Sequence, residues 1–184
     1  MIFIDYTILQ KIEVKKSIFI SYLTPISEFK TLLKTLKKEH PKASHIIWAY
    51  RKLNHLEQIE ENSSDDGEPK GCAGTPSLNI LRGAKIINSA LLTIRYFGGT
   101  KLGTGGMVRA YGAAAKEVIS YAKFQTYIKK LPISFEIPYT LVNKYEHYFN
   151  KKGICYKNRE FKSTSVLWRV DLSLKEIEEF EKFK

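Results

Sequence analysis

The sequence predicts an α+β protein made of two domains. Strand-like and helix-like segments alternate along the chain, and the character of the sequence changes between Gln125 and Lys130. With 184 residues, of which 43% are hydrophobic, the chain is long enough to bury a core in one large domain or two small ones. We therefore expect a first domain over residues 1–127 and a second over residues 128–184.

The elements of the first domain are predicted from hydrophobic periodicity and from helix start and stop signals. Ser27 is the predicted N-cap of a helix whose apolar residues recur at helical spacing from Phe29 to Leu36, and Pro41 ends it. The polar stretch 54–74 is predicted to be a long loop, and such loops are usually functional or mobile. Before that loop we expect strands at residues 2–9 and 17–26, joined near Lys15 and Lys16, and a strand at 45–53. After it we expect a short helix with Thr75 as N-cap and Pro76 at the first helical position, a central strand at 86–97, and an alanine-rich helix at 107–124.

The second domain is predicted to contain three strands and two helices. They follow in the order strand 131–139, helix 141–151, strands 153–161 and 163–172, and helix 174–184. This order is the split β-α-β plan of ferredoxin-like domains without its closing strand. Either the fold ends one strand short and leaves an open edge, or the chain has been cut.

The charge of the chain favours an anionic partner. The net charge is +11 and the isoelectric point is about 9.5. Between Pro69 and Lys116 there is no Asp or Glu, but there are seven Lys or Arg residues. Such a balance favours nucleic acid or an anionic membrane, although a lysine-rich proteome would also place cations on every surface.

Five glycines lie between positions 98 and 106, where the central strand is predicted to turn into a helix. Backbone N–H groups at such a turn stabilise anions, so the segment is a candidate phosphate cradle. It is neither a Walker A loop nor a complete G-x-G-x-x-G fingerprint, and the alternative is a turn that needs glycine only for positive φ or tight packing. In this segment the cations are expected to bind phosphate and Tyr96 to stack on a base. The candidate phosphate- or nucleic-acid-binding residues are Arg95, Tyr96, Gly98, Gly99, Lys101, Gly103, Thr104, Gly105, Gly106 and Arg109.

Three carboxylates fall within four residues of the predicted loop, at Asp65, Asp66 and Glu68. They could hold Mg²⁺ beside a phosphate, but such a sequence is more often a turn whose carboxylates accept backbone N–H bonds. A third interpretation is an ion pair with Arg95 or Arg109, which would shape the basic face. His45 is the one candidate for acid–base chemistry, and a structural role is its alternative. We predict neither a bound metal nor a cofactor.

The two cysteines, Cys72 and Cys155, match no metal-ligand spacing and indicate a reduced, cytoplasmic protein. A reactive thiol at Cys72 is the alternative, but no partner base is identifiable in the sequence. No apolar run approaches the ~20 residues that span a bilayer, and the N-terminus lacks the pattern of a secretion signal. We therefore expect no membrane partner.

Three motifs resemble the YigZ/IMPACT family, and they fall within residues 13–124. They are Ala43-x-His45, Ser64-Asp65-Asp66-Gly67-Glu68-Pro69-x-Gly71-x-Ala73-Gly74-x-Pro76, and Arg95-Tyr96-Phe97-Gly98-Gly99-x-x-Leu102-Gly103-Thr104-Gly105-Gly106-x-Val108-Arg109-Ala110-Tyr111-Gly112. The family-motif positions outside the glycine-rich segment are His45, Asp65, Asp66, Gly67, Glu68 and Pro69. Two positions depart from the family pattern, because Ile18 stands where an arginine is frequent and Ile46 where a second histidine commonly follows.

The resemblance implies a fold more than a reaction. N-terminal domains of the family are similar to elongation factor G domain IV and to the RNase P protein, and the tail of the chain is similar to the small ferredoxin-like domain of bacterial YigZ members. Eukaryotic IMPACT proteins act as translational regulators through a ribosome-associated partner. Because a fold does not fix a function, these properties are expectations for this chain.

The leading prediction is a cytoplasmic, non-catalytic protein that associates with RNA or the ribosome, with regulation of translation as its expected role. One alternative is a small Mg²⁺-dependent enzyme that acts on a phosphorylated substrate, with His45 as acid or base. The other is a purely protein-binding regulator in which the same motifs stabilise the fold. The sequence leaves the oligomeric state open.

Overall fold

The computed structural model describes residues 1–184 with their side chains, except that residue 157 is described by its backbone alone. The chain divides into two compact units, Met1–Tyr127 and Ile128–Lys184. Each unit combines antiparallel sheets with α-helices, so the predicted α+β class is confirmed. The finer similarities to elongation factor G domain IV, to the RNase P protein and to ferredoxin-like domains remain predictions.

The first unit is built around a five-stranded sheet. In chain order its elements are β1 (Ile2–Phe3), β2 (Ile8–Val14), β3 (Ser17–Pro25), α1 (Phe29–Glu39), β4 (His45–Leu53), β5 (Ile59–Ser64), α2 (Gly74–Gly83), β6 (Ser89–Tyr96), α3 (Gly103–Tyr121) and β7 (Gln125–Thr126). The sheet has the order β2-β3-β6-β4-β5, and β1 pairs separately with β7. The apolar strand β6 therefore lies at the centre, as its sequence predicts.

Helices cover both faces of this sheet. Leu81 of α2 and Val118 of α3 pack in one buried cluster with Leu91 of β6. On the other face, Leu36 of α1 packs with Ile94 of the same strand. Because successive side chains of a strand point to opposite faces, the last residues of β6 are also divided between the two sides. This division decides which residues can share a binding site.

Several element boundaries differ from those predicted. The stretch 54–74 is not a continuous loop, because β5 pairs along β4 despite its polar sequence. The predicted strand 2–9 is split into β1 and the start of β2. The starts of three helices also differ. The N-cap of α1 is Glu28 rather than Ser27. Helix α2 begins at Gly74 with Ala73 as its N-cap, so that Thr75 and Pro76 lie in its first turn. Helix α3 begins at Gly103, inside the predicted glycine loop.

The second unit contains the predicted elements with small shifts of their ends. They are β8 (Leu131–Pro138), a short 3₁₀ turn (Tyr139–Leu141), α4 (Val142–Lys152), β9 (Tyr156–Phe161), β10 (Ser165–Leu172) and α5 (Leu174–Phe183). The sheet order is β8-β10-β9, and both pairings are antiparallel. Its core contains the fully buried Phe149, Trp168 and Phe180. Ser173 and Glu176 form a capping box that fixes the start of α5.

Candidate phosphate-binding site

The loop after β6 packs against the β2–β3 hairpin turn. Lys15 and Lys16 form this turn with φ values of 47° and 67°, and positive φ at both central residues is typical of tight hairpins. The N–H of Gly98 donates to Oγ of Ser17 at 3.1 Å. A Cβ on Gly98 would lie 2.0 Å from the carbonyl carbon of Lys16, so only glycine allows the loop to approach the hairpin this closely.

The second half of the glycine-rich segment forms the first turn of α3. Leu102 is the N-cap residue, and its side chain offers no capping hydrogen bond. Gly103, Thr104 and Gly105 follow as exposed residues. The N–H groups of a first helical turn have no intrahelical acceptor, and the helix dipole is positive at this end. This turn therefore presents free donors that suit an anion.

Three exposed cations lie on the segments that meet at this turn, and we call Lys15, Lys101 and Arg109 the basic rim. Lys15 and Arg109 line a cavity of about 260 Å³ together with Leu102 and Gly106. Lys101 is exposed and directly precedes Leu102 in the chain. None of the salt bridges found in the described part of the chain involves a residue of the basic rim. The rim is thus free to interact with a ligand.

Arg95 belongs to a buried network rather than to the basic rim. Its Nη1 donates to Oε1 of Glu68 at 2.5 Å, and the hydroxyl of Tyr111 donates to the same oxygen at 2.7 Å. The Arg95 guanidinium also lies 5.7 Å from the ring centre of Phe19, at cation–π distance. Arg95 is only 6% exposed. Its charge is neutralised inside the unit, as one of the three interpretations of the acidic segment proposes.

Tyr111 supports this network as a donor. Burial raises the pKa of its phenol, and the neighbouring Glu68 carboxylate raises that pKa further. The phenol therefore stays protonated and keeps donating to Glu68 across the neutral pH range. We refer to Glu68, Arg95 and Tyr111 as the buried network.

Asp65 and Asp66 also use their carboxylates within the unit. Asp65 accepts the N–H groups of Gly71 at 2.8 Å, Ala73 at 3.0 Å and Gly74 at 2.8 Å, which ties the loop to the start of α2. Burial opposes ionisation of Asp65, but these three bonds outweigh it and hold the pKa of the carboxyl below its usual value. Asp66 accepts the N–H of Ile46 through Oδ2 at 2.7 Å.

His45 lies at the edge of the same loop. Its Nδ1 is 2.7 Å from the carbonyl oxygen of Asp66, and because a carbonyl only accepts, Nδ1 carries the proton of that bond. Its Nε2 lies 3.9 Å from Oε2 of Glu68, beyond hydrogen-bond distance. His45 thus holds the loop against the start of β4 and leaves Nε2 without a hydrogen bond to Glu68.

The carboxylates of this segment do not converge on a common point. No group of three or more His, Cys, Asp or Glu side chains that could hold a metal ion is found among the described residues. Asp65, Asp66 and Glu68 each accept hydrogen bonds from different protein donors. Cys72 is buried and Cys155 is exposed, and both thiols are free.

Tyr96 lies on the opposite face of the sheet from Arg95. Its hydroxyl is 2.7 Å from Nδ1 of His40, at the end of α1. The aromatic side chain that stands beside the glycine loop is instead Phe97, which is 50% exposed. The sequence analysis did not identify Phe97 or Lys15 as site residues. The signal for Lys15 was its place in the predicted hairpin turn, but the pairing of β3 with β6 was needed to bring it here.

Residues 15–119 match the family model described as the Impact N-terminal domain. The chain belongs to the IMPACT family. It is 34% identical over 130 residues to an IMPACT family member of Haemophilus influenzae, and the match covers 69% of this chain and 63% of that protein. It is 35% identical over 138 residues to the IMPACT family member YigZ of Escherichia coli, with 72% and 64% covered. The chain thus spans less than two thirds of the length of either relative.

A solved structure is similar to this IMPACT family chain over both units. It is described as the crystal structure of a hypothetical protein and is 27% identical, with a TM-score of 0.76. The match covers 98% of this chain and 89% of that chain. Among the described residues, no helix is long and apolar enough to cross a membrane.

Proposed function

We propose that this IMPACT family protein associates with RNA or the ribosome and regulates translation, and that it contacts phosphate groups through the basic rim and the glycine-rich turn. The observation that carries the proposal is the arrangement of three cations around the N-terminus of α3, none of which has a salt-bridge partner among the described residues. Backbone N–H donors and positive side chains that face one site are the combination that binds phosphate oxygens. The cytoplasm is the expected location.

The acidic residues of the neighbouring loop do not oppose this role. Asp65, Asp66 and Glu68 are engaged with protein donors, and the charge of Glu68 is balanced by Arg95. A phosphate at the rim would therefore meet cations whose charge is not already compensated. This feature also favours binding over metal-assisted catalysis, since the carboxylates needed to hold Mg²⁺ are occupied.

The roles of individual residues follow from their exposure. Lys15, Lys101 and Arg109 supply charge, and the first turn of α3 supplies N–H groups. Phe97 offers an exposed ring on which an unpaired base can stack, a role for which Tyr96 lies on the wrong face of the sheet. Arg95 acts indirectly, because its pairing with Glu68 holds the end of β6 in place.

The test is the salt dependence of RNA binding by the whole chain. Single-stranded RNA is titrated with the parent and with the double variant Lys101→Ala/Arg109→Ala between about 50 and 200 mM salt. Each lost phosphate contact flattens the log–log salt dependence by about 0.7, so the double variant should bind more weakly with a slope smaller by about 1.4.

The matched control is Lys37→Ala/Lys38→Ala, which removes the same charge from exposed positions of α1. It should leave the slope close to that of the parent. If the two double variants weaken RNA binding equally, the effect is one of net charge and the proposed site is wrong.

A further inference from the structure

A groove runs between α2 and α3, beyond the phosphate site. Two adjoining cavities of about 320 and 420 Å³ share Asn79, Ile80 and Lys116 in their linings, so they form one continuous depression. Ile119 and Val108 contribute further apolar surface, and Val108 is 40% exposed. We call this depression the α2–α3 groove.

Gly112 lines this groove in the middle of α3, where glycine is unfavourable. A glycine inside a helix destabilises it relative to alanine. A Cβ on Gly112 would meet no heavy atom within 4 Å, so packing within the unit does not explain the glycine. Gly83, at the end of α2, also faces open space and lines the same groove. Gly98 differs, because its Cβ would clash with Lys16, whereas no neighbouring group of the unit excludes a side chain at Gly112.

The chemistry of the groove selects its ligand. The cavity bounded by Ile80, Ala84 and Ile119 is almost entirely apolar, which suits protein side chains rather than phosphates. Lys116 lines both cavities and Arg109 lines the adjoining one, and neither has a salt-bridge partner in the described part of the chain. No Asp or Glu side chain lines either cavity among the described residues.

We propose that the α2–α3 groove binds an acidic amphipathic segment of a partner protein. The apolar side of the segment would lie over Ile80 and Ile119, and its close approach requires the missing side chain at Gly112. Its carboxylates would pair with Lys116 and Arg109. This is the helix-in-groove mode of peptide recognition with a charge preference added.

The test is a selection from randomised peptides of about 16 residues, long enough for four helical turns. The whole parent chain is the bait, and peptides that also bind the Gly112→Leu variant are removed. The surviving peptides should carry apolar residues at helical spacing together with Asp and Glu. In direct titration, Gly112→Leu and Lys116→Glu should each weaken their binding by at least about tenfold.

Matched controls lie on α1, on the other face of the sheet. Thr35→Leu adds the same side chain at an exposed helical position, and Lys34→Glu makes the same charge change. Both should bind the selected peptides as the parent does. The proposal is overturned if no peptide distinguishes the parent from Gly112→Leu, or if the discriminating peptides lack acidic residues. It is also overturned if Gly112→Leu weakens the binding of single-stranded RNA as much as it weakens the binding of the peptides.

Discussion

Two sets of charged residues lie near the end of β6, and the protein uses them in opposite ways. Glu68 and Arg95 of the buried network face each other, with side-chain exposures of 3% and 7%. Lys15, Lys101 and Arg109 of the basic rim lie at the surface around the start of α3, without salt-bridge partners in the described part of the chain. The first set holds the loops in place, and the second is available to bind a ligand.

The comparison separates structural from binding roles among neighbouring charged residues. Removing a charge from the buried network leaves its partner unpaired in a poorly hydrated site, which costs stability. Removing a charge from the exposed rim changes little in the folded protein, because exposed positions away from such contacts tolerate substitution. Changes in the network should therefore alter unfolding, and changes in the rim should alter ligand binding.

Arg95→Met gives the largest expected effect. The substitution leaves the Glu68 carboxylate buried with Tyr111 as its remaining donor, and we expect the free energy of unfolding to fall by about 3–5 kcal/mol. Urea unfolding monitored by circular dichroism measures this change. The double variant Glu68→Gln/Arg95→Met should lose less, because it leaves no unpaired charge. A loss for Arg95→Met no greater than that for Lys101→Ala would remove the distinction between the two sets.

Asp65→Asn tests the loop that carries the network. The carboxylate accepts three N–H groups, and bonds to a charged group contribute about 1.5–3 kcal/mol. Because the pKa of Asp65 is lowered in the folded protein, this stability is fully present above the unfolded pKa of about 3.9 and is lost as the pH falls through the folded pKa. The difference between parent and variant should thus be large at pH 7 and shrink below about pH 4. If the urea midpoints of parent and variant differ by the same amount at every pH in this range, the stabilising role of the ionised Asp65 is wrong.

Gly112→Ala should stabilise the protein, by up to about 1 kcal/mol, because alanine is the better helix former and its methyl group meets open space. Thermal unfolding measures the change. Gly98→Ala is the contrasting variant, since its methyl group would collide with Lys16, and we expect a loss of about 1–3 kcal/mol. Effects of the same sign at both positions would show that the spaces around these glycines are not as described.

Lys15→Asn tests whether a residue of the basic rim affects RNA binding without affecting stability. Asparagine tolerates the positive φ of the hairpin turn, so the free energy of unfolding should stay within about 0.5 kcal/mol of that of the parent. The salt dependence of RNA binding should flatten by about 0.7, the value for one phosphate contact. An unchanged slope would exclude Lys15 from the site.

The sequence predicted the parts of the fold that local pattern determines. The strand at residues 45–53 has the same bounds in the structure, and the apolar run that contains β6 lies at the centre of the sheet. The first is rich in β-branched and aromatic residues, and the second is apolar along most of its length. The polar strand β5 was missed because its pairing with β4, and not its own composition, makes it a strand.

The candidate site was predicted less well, because its arrangement depends on contacts between distant residues. Tyr111 and Glu68 are separated by 43 positions, and no local pattern indicates their hydrogen bond. Sequence alone also gives no way to tell Gly98, which a neighbouring backbone requires, from Gly112, which faces open space. Alternation along the predicted strand 86–97 was enough to place Arg95 and Tyr96 on opposite faces of the sheet, but it does not tell which face carries the site.

The most direct test of the central claim is ultraviolet crosslinking in living cells, followed by identification of the crosslinked residues and of the attached RNA or protein. Parent and Lys101→Ala/Arg109→Ala chains are compared at equal expression. The account predicts RNA crosslinks at Phe97 and at the basic rim in the parent, and their loss in the double variant, while both chains remain folded. RNA crosslinks confined to α1 or to the second unit, or an undiminished yield from the double variant, would contradict it.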